Sequence, residues 1–161
     1  MYKRQVYVGS GSLAGLTREA QLKILELTAG KVATIFDSSM GFRHGPKSFI
    51  NEKTIMFGFV NNTPYTRDYD LDILEEVHGD EIAAGVFAIA QPGKRNFSGS
   101  TIEYSAETAL LPDGYLALAD IMVAQTVALL TSIKVGNKPD TPSPTGTVNR
   151  VVKGVTIYDY K

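Results

Sequence analysis

The chain reads as an α/β domain, a three-layer α-β-α sandwich on a mainly parallel sheet. Three observations predict this. Short β-branched and aromatic runs alternate with segments of helical periodicity, the signature of strand–helix–strand units. The strongest runs are continuously apolar, as strands covered on both faces must be. With 161 residues, 43% of them hydrophobic, the chain is one domain of ordinary size with enough apolar surface for a core. No internal repeat is visible.

Gln5 to Val8 is a short buried strand, ended by Gly9-Ser10-Gly11-Ser12. Ser12 is the expected N-cap of the first helix. From Leu13 to Ala29 the residues Leu13, Leu16, Ala20, Ile24 and Leu27 recur at helical spacing, and Gly30 suits the C′ position. Val32 to Phe36 is a second strand. Met40 to Ser48, with Gly41, Gly45 and Pro46, is a loop or short helix. Thr54 to Val60 is a strong strand that Asn61-Asn62-Thr63-Pro64 breaks. Tyr65 to Val77 is a helix with Tyr69, Ile73, Leu74 and Val77 on its apolar stripe. Gly85 to Ala90 is a buried strand stopped by Gln91-Pro92-Gly93, and Ser100 to Tyr104 a weaker one. Tyr115 to Ile133 is the longest apolar periodic segment and reads as a core helix. Lys138 to Gly146 reads as an extended arm, and Val148 to Tyr158 closes the chain, mostly β-branched.

Composition excludes several classes of function. Sixteen basic against seventeen acidic residues leave a formal charge of -1, without the basic excess of a nucleic-acid binder. There is no cysteine, hence no disulfide, thiolate nucleophile or zinc-thiolate site. No unbroken apolar run reaches the roughly 18 residues of a membrane span, and Met1 to Val6 lacks a signal peptide's apolar region. A cytoplasmic protein with no membrane partner is the expectation. Asn61-Asn62-Thr63 and Asn96-Phe97-Ser98 read as chance glycosylation triplets.

Glu19, Lys23 and Glu26 stand at i, i+4 and i+7, which places acid, base and acid on one side of the first helix. That side lies about a quarter turn from the apolar stripe, at the rim of the core. His44 follows in the glycine- and proline-bounded stretch Gly41 to Ser48. Carboxylate, ammonium and imidazole are the groups that move protons on a sugar phosphate. The plain alternative is an ordinary ion-paired helix surface and an exposed loop histidine. In an open parallel sheet ligands bind beyond the carboxyl ends of the strands. The Ser10-Gly11-Ser12 turn belongs there and could hold an anion on backbone N–H groups.

Several separated segments carry a resemblance that covers essentially the whole chain. They are Leu25 to Lys31, Gly41 to Ser48, Pro64 to Asp70, Pro139 to Ser143 and Gly146 to Val152. Together they resemble a SIS (sugar isomerase) domain, a flavodoxin-like fold. The match is to the second SIS lobe of the tagatose-6-phosphate ketose/aldose isomerase family, also described as galactosamine-6-phosphate deaminase/isomerases. The isomerase portion of glucosamine-6-phosphate synthase is similar at greater distance, with Glu-x-x-x-Lys-x-x-Glu followed by His-Gly-Pro. The resemblance implies that Glu26 moves the proton between C1 and C2. It implies that His44, reaching in from a neighbouring subunit, helps open the sugar ring. Lys153, in a similar C-terminal tail, would correspond to a lysine able to form a Schiff base with a ketose phosphate.

Full-length members of that family have two lobes, and the missing first lobe resembles the one that supplies a Ser/Thr-rich phosphate cradle. The chain is therefore expected to be the second lobe of a longer protein, a homo-oligomer whose site is shared. Aldose–ketose interconversion needs one carboxylate to take and return a proton, with Lys23 to hold it and neutralise charge. Glu19 has the weakest functional case, and His78 reads as a surface residue. Neither isomerisation nor deamination calls for a metal or redox cofactor. The competing expectations are a non-catalytic sugar-phosphate-binding regulatory module and a purely dimerising lobe.

Overall fold

A computed structural model describes residues 3–105, 111–146 and 154–160. Five strands form one sheet in the order β2-β1-β3-β4-β5: β1 (Arg4–Gly9), β2 (Ala33–Asp37), β3 (Thr54–Phe59), β4 (Gly85–Ala90) and β5 (Ser100–Glu103). Every pairing is parallel; Val6 lies opposite Ile35 on one side and Met56 on the other. The sheet grows from β1 in both directions. Right-handed crossovers therefore send helices to opposite faces. α1 (Ser12–Leu27) and α4 (Asp113–Lys134) cover one face; α2 (Ser39–Arg43) and α3 (Pro64–Gly79) cover the other. This is the three-layer architecture that the alternating runs predict.

Each face has its own core. Tyr7, Phe57 and Phe59 stack in a row beneath Leu13, Leu16, Ala20 and Ile24 of α1 and Ala124 and Ala128 of α4. Val6, Val8, Met56 and Ala88 meet Phe42, Leu71, Leu74 and Val77 on the other side. Gly58 is required here, because an added Cβ would lie 2.6 Å from a Leu74 methyl.

The structure corrects several expectations. Gly11, not Ser12, caps α1; its φ of 60° favours glycine, and Ser12 is the first helical residue. The helix ends in a Schellman turn shifted by one residue. Ala29 (φ 50°) donates to the Glu26 carbonyl and Gly30 (φ 72°) to the Leu25 carbonyl, so alanine takes the C′ position meant for Gly30. β2 sits one residue later than expected, and α3 is longer at both ends. Lys138 to Gly146 is not an extended arm: Lys138 and Thr141 pair across a turn, and Ser143 to Gly146 closes another. Residues 154–160 form no strand and are exposed; the rest of the β-branched tail lies outside the described residues.

α4 is the largest departure. By length and composition it is apolar enough to cross a membrane, although Asp113, Asp120 and Lys134 interrupt any unbroken run. It is a core helix along one side only. Leu116, Asp120, Ala124, Ala128 and Ser132 are buried, while Leu118 is 78% and Met122 59% exposed.

Candidate functional site

The charged row on α1 forms as its spacing requires. The Lys23 Nζ lies 3.2 Å from Glu19 Oε1 and 3.1 Å from Glu26 Oε2. Burial pulls the Lys23 ammonium down, and hydrogen bonds to Glu26 and Glu19 overcome it, so its pKa stands above the ordinary lysine value. All three side chains remain partly open to solvent, where such pairs contribute at most about 1 kcal/mol. The row is therefore a weak contributor to stability and an accessible set of proton-handling groups.

The Ser10-Gly11-Ser12 turn stands at the other end of α1. Ser12 and Glu26 are fourteen positions apart in this helix, roughly 21 Å at 1.5 Å per residue. A single sugar phosphate cannot touch both in one chain. The Ser10 hydroxyl is also engaged: it donates to Asp70 Oδ1 at 2.5 Å. His44 is separated from Glu26 in a different way. It caps α2, exposed, on the face of the sheet opposite α1. Lys153 lies outside the described residues. Thus Lys23 and Glu26 are brought together within one chain, while Ser10 to Ser12 and His44 are held apart from them.

Beyond the carboxyl ends of the strands, two residues of α3 do work that the apolar pattern did not reveal. Asp70, 2% exposed, accepts from the Ser10 and Ser39 hydroxyls and from the Asn61 N–H at 3.0 Å. It thereby ties the loops after β1, β2 and β3 to one carboxylate. Burial pushes its pKa up, and the three donors hold it back. One turn earlier Arg67, also buried, donates to the carbonyls of Gln91 and Arg95 at 2.8 and 2.7 Å and to Asn96 Oδ1 at 3.0 Å, fixing the loop after β4. Burial lowers its pKa. The order 2-1-3-4-5 makes the β1–β3 boundary the switch point of the sheet, and Asp70 sits directly behind it. Spacing carries a hint of both: Arg67 shares a helical face with Leu71 and Leu74, and Asp70 with Leu74 and Val77, so each charge stands on the apolar side.

Comparison with known proteins adds a strong likeness. No protein-family model matches the chain. D-galactosamine-6-phosphate deaminase from Escherichia coli O157:H7 is 49% identical over 99% of this chain and 42% of its own length. The protein of the same name from Shewanella sp. (strain ANA-3) is 39% identical over 98% of this chain and 38% of its own. The chain thus spans about two fifths of the curated relatives it matches. The crystal structure of tagatose-6-phosphate ketose/aldose isomerase from Escherichia coli superposes with a TM-score of 0.84 at 42% identity, over 99% of this chain and 40% of that one. The C-terminal domain of glucosamine-fructose-6-phosphate aminotransferase from Francisella tularensis shares the fold, with a TM-score of 0.70 at 19% identity, over 85% of this chain and 37% of that one.

Proposed function

We propose, from the premise that this chain is a SIS domain of the tagatose-6-phosphate ketose/aldose isomerase family, that it is the second, proton-transferring lobe of a sugar-phosphate deaminase/isomerase. The substrate class is a keto- or amino-hexose 6-phosphate, with galactosamine-6-phosphate and tagatose-6-phosphate the first to test. The observation that carries the reading is the 49% identity to a D-galactosamine-6-phosphate deaminase along nearly the whole chain.

In this reading the Glu26 carboxylate takes the proton from C2 of the open-chain sugar and returns it to C1, the carbonyl moving to C2. With an amine at C2, the same shift gives an imine at C2. Water then hydrolyses it to the ketose phosphate and ammonia. Lys23, 3.1 Å from Glu26, orients the carboxylate and neutralises the charge on the enediol oxygens. His44 transfers the proton of ring opening in a neighbouring subunit's site. Its location across the sheet from Glu26 supports that division of labour. The distance along α1 argues against Ser10 to Ser12 as contacts for the same ligand, so the phosphate cradle belongs to the rest of the full-length protein. Lys153 as Schiff-base former remains part of the proposal through its sequence position alone.

The apolar outer side of α4 supports association of this lobe with further protein surface, and with it a shared-site oligomer. The test uses the full-length enzyme with both sugar phosphates, assaying ammonia and ketose. Glu26→Gln should lower kcat by at least about 1000-fold while substrate still raises the melting temperature. Near-normal turnover of that variant removes the assignment. Ligand-dependent stabilisation without turnover in the unaltered protein would favour a regulatory module instead.

A further inference from the structure

The segment that carries His44 is too short to hold its own shape. α2 has five residues and the 3-10 turn that follows, Pro46–Phe49, has four. It is clamped from outside instead. Arg43 Nη2 lies 2.9 Å from Glu76 Oε2, and Lys47 Nζ lies 2.5 Å from Glu76 Oε1 and 2.6 Å from Asp80 Oδ2. Glu76 and Asp80 are one turn apart at the end of α3. Both oxygens of Glu76 are used, one for each anchor, and His44 stands between those anchors in the chain. From the other side Arg4 donates to the Phe49 carbonyl at 2.7 Å, with its guanidinium 4.7 Å from the centre of the Phe49 ring. His44 itself faces solvent beside an open groove of about 440 Å³ that Ser48, Ile50 and Ile82 also line.

Such an arrangement stabilises the fold little, since each pair is about a third exposed to solvent. What it does is hold the stretch from Arg43 to Ser48, which has no buried residue of its own between the core residue Phe42 and Phe49. We infer that Glu76, assisted by Asp80, is a positioning residue that bridges Arg43 and Lys47 and so presents the His44 imidazole outward to the site of a second copy of this chain. The inference rests on the role proposed above for His44. An imidazole displaced by about 1 Å can lose up to 100-fold in rate, so a weak clamp has large leverage on turnover.

The experiment is a double-mutant cycle in the full-length enzyme with galactosamine-6-phosphate. Glu76→Gln keeps the shape and removes the charge; kcat should fall about tenfold with KM changed less than about twofold. In a His44→Ala background the same substitution should have no further effect, which a merely structural role would not produce. Mixing Glu76→Gln chains with Glu26→Gln chains should restore activity, because a mixed oligomer contains one site with an intact glutamate and a well-held histidine. Asp80→Asn, which removes one of the two Lys47 contacts, is the milder variant should Glu76→Gln not fold; about threefold in kcat is expected, again only with His44 present. An unchanged kcat, or equal losses with and without His44, overturns the inference. Full activity of Glu26→Gln would instead overturn the function on which it rests.

Discussion

α3 and α4 pack on opposite faces of one sheet and are built in opposite ways. α3 turns Leu71, Ile73, Leu74 and Val77 inward with Asp70, and its other acids outward, where Glu76 and the C-cap Asp80 meet Arg43 and Lys47, and Asp72 meets Arg95 at 2.5 Å. α4 turns Asp120 and Ser132 inward and Tyr115, Leu118, Met122, Leu130 and Ile133 outward. An amphipathic helix on water should resemble α3. The outer side of α3 is finished by Arg43, Lys47 and Arg95, whereas among the described residues nothing covers that of α4. The same contrast runs through the buried carboxylates. Asp70 on α3 is met by three donors from three loops. Asp120 on α4 faces Tyr104, and burial is the dominant influence on both groups.

Removing each carboxylate should sharpen that contrast, with effects of opposite sign. Asp70→Ala leaves the Ser10 and Ser39 hydroxyls and the Asn61 N–H without their acceptor and should cost roughly 3–5 kcal/mol, read by urea denaturation at pH 7. A loss below about 1 kcal/mol would mean that water replaces the carboxylate and that the loops are not held by it. Asp120→Asn should do the reverse. Burial raises the Asp120 pKa from 3.8 to about 6, the Tyr104 hydroxyl opposing it and the Asp113 charge adding to it. The folded chain then binds more protons than the unfolded chain between these values. Its contribution favours folding below about pH 4 and is lost as pH rises through 6. The asparagine variant should gain roughly 1–3 kcal/mol over the native chain at pH 7 compared with pH 4. An equal difference at both pH values refutes the buried ionisation.

The contrast between the helices also marks what was legible in the sequence. Period and run length sufficed for β1, β3 and β4, because a strand covered on both faces is apolar along most of its length, with polar residues such as Gln5 and Thr54 only near its start. They sufficed for the apolar side of α1 and for the Glu19–Lys23–Glu26 row, which depends only on spacing within one helix. Helix ends were harder. Gly11 and Ala29 adopt positive φ for reasons of chain direction, and Ser12 and Gly30 were the residues that local preference favoured. Spacing along α3 hints that Asp70 and Arg67 are buried, but not what they bind: the donors to Asp70 lie 9, 31 and 60 positions away, the β4-loop partners of Arg67 24 to 29, and those of Glu76 29 to 33. The separation of Glu26 from Ser10 and from His44 is likewise a property of topology. It follows from α1 running the length of the sheet and α2 lying behind it.

The smallest effect on the chain itself tests the claim about α4 most directly. Leu118 and Met122 stand at i, i+4 on the outer side, 78% and 59% exposed. Leu118→Glu with Met122→Lys forms a favourable i, i+4 pair and gives up only the partial cover of Met122, which the long lysine stem can keep. The stability of the isolated 161-residue chain should change by less than about 0.5 kcal/mol. The same pair of substitutions in the full-length protein places two charges where another surface is expected to lie. There it should lower the melting temperature and reduce the particle mass measured by light scattering. If α4 resembled α3 in being finished by its own domain, both preparations would respond alike. If its apolar side belongs to an interface, the substitution is silent in one context and disruptive in the other. The difference between the two measurements is then the energy of covering α4, separated from the energy of folding it.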